Sequence, residues 1–110
     1  MATTFGNSLI QELGTAPTTA LTSASNARVT VIGLSLTNLT ASVILGTILI
    51  VNNNNGDSAH YIKEIPIPPN QSLRVINGGE KLIISTNTSI IVTASQDASL
   101  DLVMSYVSIV

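Results

Sequence analysis

Few residues in this chain are equipped for chemistry. His60 is the only histidine and there is no cysteine. The missing thiols exclude thiolate zinc sites, thiol nucleophiles and dithiol redox motifs. His60 has Asp57 and Ser58 close by in sequence. A general base, however, needs a nucleophile and an orienting acid within hydrogen-bond reach, and nearness along one strand does not supply that geometry. Residues 52–55 with Asp57 form an oxygen-rich loop. One carboxylate is too few for a calcium site, and the Asn and Gly residues there are already explained by a tight turn. Gly78-Gly79-Glu80-Lys81 lacks the glycine spacing and the following helix of a phosphate-binding loop. Asp97 and Asp101 could pair as acids, but a turn and a strand start account for them better. Tyr61 and Tyr106 are flanked by apolar side chains and read as packing or interface residues. The expectation is a protein that is not an enzyme, with no catalytic residue, no metal and no cofactor.

The composition points to contact rather than catalysis. Charged residues make up 9% of 110 residues and apolar ones 45%. Ser, Thr and Asn fill about a third of the chain, in place of the roughly 25% charge of an ordinary domain. Such a chain forms strands and turns readily but is poorly supplied for a large, charged, free surface. The four basic residues, Arg28, Lys63, Arg74 and Lys81, are scattered, so no patch is set to neutralise phosphates and nucleic acid is not an expected partner. The longest apolar-rich stretch, residues 41–51, falls short of the roughly 20 residues of a membrane helix, and no membrane partner is expected. Residues 1–7 lack the charged and apolar regions of a secretory signal. Asn38, Asn70 and Asn87 begin Asn-x-Ser/Thr sequons, which chance explains in a chain so rich in these residues.

The apolar residues fall into short runs bounded by turn residues, the pattern of an all-β protein. The expected fold is an antiparallel β-sandwich of about seven or eight strands, jelly-roll or immunoglobulin-like, over residues 23–110. Residues 1–22 are expected to form an extended N-terminal arm, with a short strand over residues 8–13 broken by Gly14 and Pro17. Strands are expected over residues 28–38, 42–52, 58–65, 72–76, 81–85, 89–94 and 100–110. The alternation within residues 28–38 changes phase at Val31-Ile32-Gly33, which predicts a β-bulge. Asn55-Gly56 adopts the positive φ of a hairpin at little cost, and Asn77-Gly78-Gly79 is a second hairpin signal. The prolines at 66, 68 and 69 remove backbone donors, so that segment should be an edge or a crossover between sheets.

Several strands are apolar on both faces. In residues 42–52, Val43, Leu45, Leu49 and Val51 share one face and Ile44, Ile48 and Ile50 the other. In the last strand, Leu100, Leu102, Met104 and Tyr106 oppose Val103, Val107 and Ile109. A free two-layer sandwich should alternate apolar and polar, so something must cover the second face. A second copy is the expected cover, helped by the arm. The expected interface residues are Phe5, Leu9, Ile10 and Leu13 on the arm, Ile44, Ile48 and Ile50, and Val107 and Ile109.

The second half of the chain resembles a recurrent pattern in small virion structural proteins of tailed bacteriophages and cyanophages. The matching residues are Tyr61-Ile62-Lys63-Glu64-Ile65-Pro66-Ile67-Pro68, Gln71-Ser72-Leu73, Gly78-Gly79-Glu80-Lys81-Leu82, Ile91-Val92-Thr93-Ala94-Ser95 and Asp101-Leu102-Val103-Met104-Ser105-Tyr106-Val107. Ala27-Arg28-Val29-Thr30-Val31 and Leu36-Thr37-Asn38 are similar in style, so the likeness spans roughly residues 20–110. It is a pattern of strands and turns, with no catalytic signature. The resemblance implies a β-sandwich component of the virion, assembled in the host cytoplasm. Within that class it implies a capsid decoration, or cement, protein that bridges subunits of the phage major capsid protein, acting as a homo-oligomer with a trimer favoured. A neck, tail, baseplate or fibre-adaptor part is the alternative. A carbohydrate-binding sandwich is a third reading, weakened by having only Phe5, Tyr61 and Tyr106 as aromatics.

Overall fold

The computed structural model describes residues 2–76 and 80–110. These residues form nine strands: β1 (Thr3–Leu13), β2 (Thr18–Thr22), β3 (Arg28–Asn38), β4 (Ile44–Asn52), β5 (Ser58–Ile67), β6 (Ser72–Ile76), β7 (Leu82–Ile84), β8 (Thr88–Ala94) and β9 (Leu100–Ile109). They make two antiparallel sheets. One has the order β1-β9-β3-β6, with β7 also paired to β3; the other has the order β2-β8-β4-β5. Most consecutive strands change sheet, while β4–β5 and β6–β7 each stay within one, and the two orders set β1 over β2, β9 over β8, β3 over β4 and β6 over β5. This is the double Greek-key order of a jelly roll, which decides between the two sandwich types expected.

Local chemistry explains most of the turns. The β4–β5 hairpin closes with Gly56 at φ 80, its N–H donating to the Asn52 carbonyl at 2.8 Å. Opposite β9, β3 steps from Val31 to Gly33, so Ile32 is the bulged residue where the alternation changes phase. β5 runs through Pro66 to Ile67 as the edge of its sheet, and the chain then crosses to the other sheet at Pro68 and Pro69. β2 was not legible in advance: Thr18–Thr22 is short and polar. The hairpin signal at residues 77–79 lies outside the described residues.

The core lies between the sheets. Val31, Leu34, Leu36, Ile44, Ile48, Ile67, Ile90, Val92, Leu100, Leu102 and Met104 are buried. Asn38 is a buried polar knot beside them. Its Nδ2 donates to the carbonyls of Ser42 at 2.7 Å and Ile67 at 2.9 Å, and its Oδ1 accepts from the N–H of Thr40 at 2.8 Å. A buried amide is tolerated only when its bonds are made, as here. This sequon asparagine is therefore an internal brace that ties the end of β3 to the β5–β6 crossover.

β1 is hydrogen-bonded to β9, with its register unbroken from Thr3 to Ile10. A bulge follows at Glu12, at φ 56, and turns Leu13 into the core. Two carboxylates hold this end. Asp101 accepts from the Glu12 N–H at 2.9 Å, and Asp97 accepts from both the N–H and the hydroxyl of Thr15 at 2.9 Å.

Candidate surface site

The residues with chemical potential are dispersed or already used by the fold. His60 is exposed on the outer face of β5, opposite Leu49. The asparagines of the β4–β5 turn spend their side chains on the turn itself and on the neighbouring β7–β8 segment. Asn52 and Asn55 accept from the N–H groups of Asn54 and Asp57, and Asn53 donates to Ser89 Oγ. Asp101 binds the Glu12 N–H near the end of β1 and Asp97 binds Thr15 in the β1–β2 connection, rather than each other. The two Thr15 hydrogen bonds hold the Asp97 carboxyl below the ordinary aspartate range. Tyr61 Oη donates to Glu80 Oε2 at 2.9 Å; partial burial, then that carboxylate, pushes the phenol pKa up.

The surface feature that stands out is apolar. Phe5 is 77% exposed, Ile83 72% and Leu9 68%. All three belong to the β1-β9-β3-β6 sheet, on its outer face. The register assembles them into rows. Leu9 stands beside Val103, which stands beside Ser35. Phe5 stands beside Val107, which stands beside Thr30, which stands beside Ile83. Between these rows run Asn7, Ser105 and Gly33. Ile109 continues the face at one end, and Arg28, Arg74 and Asp101 lie at its margins. Each row joins residues far apart in sequence, so no local pattern could have announced it.

The outer face of the other sheet is built differently. Leu49 lies between Ile91 of β8 and His60 of β5, and Val51 between Ser89 and Ser58. Thr19, Thr47, Thr93 and Ser89 surround these apolar side chains. Leu45, Leu49, Val51 and Ile91 are each only partly exposed.

This geometry corrects part of the expected interface. Leu13, Ile44 and Ile48 are 2%, 1% and 0% exposed; they are core residues and present nothing to a partner. For β4 the reason is Gly46. A Cβ there would meet Leu36 Cδ1 at 3.2 Å and Ile67 Cδ1 at 3.4 Å. The strand therefore turns its glycine, with Ile44 and Ile48, toward the core, and Leu45, Leu49 and Val51 outward. Ile10 and Ile50 are partly buried against the core. Phe5, Leu9, Val107 and Ile109 lie on the outer face; Val103, already read as sharing a face with Val107 and Ile109, and Ile83 join them there, though neither was among the expected interface residues.

The three aromatic residues do not share a surface. Phe5 faces outward. Tyr106 turns inward across Gly6, where a Cβ would lie 2.8 Å from its ring. Tyr61 borders a cleft of about 410 Å³ at the open side of the sandwich, with Ile62, Ile65, Leu73 and Val75.

No protein-family model matches the chain, and no curated protein matches it in sequence. Solved structures do match in fold. A chain of the T13 particle of infectious bursal disease virus aligns over 96% of this chain with a TM-score of 0.55 at 8% identity, covering 30% of its own length. Chains from the Gt and Gx strains of that virus align over 98% and 97% of this chain at 10% identity, with TM-scores of 0.49 and 0.48. The chain thus spans about a third of the viral chains it resembles. At this identity the likeness is one of fold.

Proposed function

We propose that this protein is a structural component of a virion, a decoration subunit that sits on the capsid of a tailed phage and bridges neighbouring shell subunits as a small homo-oligomer. The observation that carries the reading is a jelly roll whose fold matches part of a viral-particle chain over 96% of the present chain, with exposed Phe5, Leu9 and Ile83 gathered on one outer sheet face. A solitary soluble domain has no use for that face, whereas a subunit in a shell buries it. The role is mechanical. Each contact buried between this protein and the shell is lost when shell subunits part, so binding raises the free energy of disassembly. The phage assignment draws on the strand-and-turn likeness over residues 61–107.

Counting copies in purified particles tests the reading. A decoration protein is present in proportion to the shell subunits, and adding it to undecorated capsids raises their melting temperature. A few copies confined to one vertex would move the protein to the neck or tail. Absence from particles would end the proposal.

A further inference from the structure

The free edges of the two sheets are not equally protected. β5 carries Lys63 and Pro66, two register shifts against β4 and Glu64 at φ 51. β2 has five residues and a register shift between Thr19 and Leu21. β6 and β7 have five and three residues. Charges, prolines, bulges and shortness are the usual means of keeping an edge from pairing with another chain. β1 has none of them before Glu12: Thr3 to Ile10 carries no charge or proline and pairs with β9 without a break.

The direction of its open hydrogen-bonding groups follows from the ladder. Ala2 and Val110 exchange both backbone bonds, at 3.2 and 2.9 Å. Antiparallel pairs alternate between bonded and non-bonded. Thr4, Gly6, Ser8 and Ile10 therefore spend their backbone groups on β9, while those of Thr3, Phe5, Asn7 and Leu9 point to the free side.

We infer that this edge is taken by β1 of a second copy, antiparallel, about a two-fold axis at Asn7. That register sets Asn7 against Asn7 of the second copy and Phe5 against its Leu9. Every pair then joins residues with outward-pointing groups, and an aromatic side chain meets an aliphatic one, a favourable cross-strand pair. Shifting by two residues keeps the backbone bonds but sets Phe5 against Asn7 and Leu9 against Thr3. The pairing joins the two β1-β9-β3-β6 sheets into one continuous sheet and merges their apolar faces. The inference rests on the self-association in the proposed function but not on capsid binding, and it is tested on the isolated protein, so the two fail separately.

The absence of cysteine makes single thiols clean reporters. In Asn7→Cys the two thiols sit on the axis, about 5.5 Å apart between Cα atoms, within disulfide range. In Thr3→Cys they are about 27 Å apart along the strands. Under mild oxidation Asn7→Cys should form linked dimer on the order of tenfold more than Thr3→Cys, since only the former lies within bridging distance. Sedimentation at micromolar concentration should give a dimer mass for the unmodified protein. Asn7→Pro should give a monomer with unchanged circular dichroism, because the N–H it removes faces away from β9. Should Asn7→Pro fail to fold, the cysteine pair decides alone. A monomeric or trimeric mass, equal cross-linking of the two cysteine variants, or a dimer that survives in folded Asn7→Pro would overturn the inference. So would capture of a shell-protein strand by Asn7→Cys in particles with no self-linked dimer.

Discussion

The two outer sheet faces both carry apolar side chains and treat them in different ways. On the β2-β8-β4-β5 sheet, Leu49, Val51 and Ile91 stand among threonines and serines on neighbouring strands, and each is partly covered. On the β1-β9-β3-β6 sheet, Phe5, Leu9 and Ile83 project from an edge strand and from the three-residue β7 and remain 77%, 68% and 72% exposed. Position in the sheet, as well as apolar content, governs how far a side chain is left for a partner. A β-branched or Leu residue on a central strand is partly shielded by its lateral neighbours, as Val103 of β9 is, at 47% exposure. The same residue on an edge has neighbours on one side only.

The largest effect that could break this comparison lies beneath it. Ile48→Ala should lower unfolding free energy by about 2–5 kcal/mol in urea denaturation, the cost of a core truncation. A loss under about 0.5 kcal/mol, the range of surface substitutions, would mean β4 faces the other way. Gly6→Ala should cost about 1–3 kcal/mol by overpacking against Tyr106, with a changed near-ultraviolet tyrosine signal. If the signal is unchanged, Tyr106 is free to stand outward and the exposed face has been underdrawn. The sharpest test pairs one residue from each face. Leu49→Ser should destabilise by about 1 kcal/mol, part of the 1.5–3 kcal/mol of full burial. Leu9→Ser should change stability by less than about 0.5 kcal/mol while weakening self-association. Equal stability losses would erase the distinction between the faces.

The smallest expected effect concerns the clasp that ends β1. The Asp97 pKa is lowered in the folded protein, so its contribution is complete above the unfolded value of about 3.9 and is lost as pH falls through the lower folded value. Asp97→Asn should therefore flatten the acid limb of the stability curve slightly, measured by thermal melts taken downward in pH from the unfolded value of about 3.9. An unaltered limb would show that Thr15 is held by other groups.

The parts of the fold legible in the sequence are those set by local stereochemistry. Asn55-Gly56 marks its hairpin because positive φ is costly elsewhere, the phase change beside Gly33 marks its bulge, and Pro66 marks an edge because it cannot donate. The inward face of β9 was also readable, since Leu100, Leu102 and Met104 recur at spacing two. The orientation of β4 was not, because both its faces are apolar. Only its packing partner, Leu36 seated over Gly46, chooses between them. The candidate surface was half legible for the same reason. Phe5 and Leu9 are conspicuous as apolar residues in a polar stretch. Their alignment with Val107, Val103 and Ile83 is a product of register between strands nearly a hundred residues apart.

That register also dictates a timetable. β9 sits between β1 and β3, so during translation the first and third strands wait without their shared neighbour until residues 100–109 have left the ribosome. Until then Phe5, Leu9 and the whole of β1 dangle from an unfinished sheet. The β1-β9-β3 part of that sheet therefore cannot assemble strictly in order from the amino end, since β1 finds its neighbour only once β9 is available.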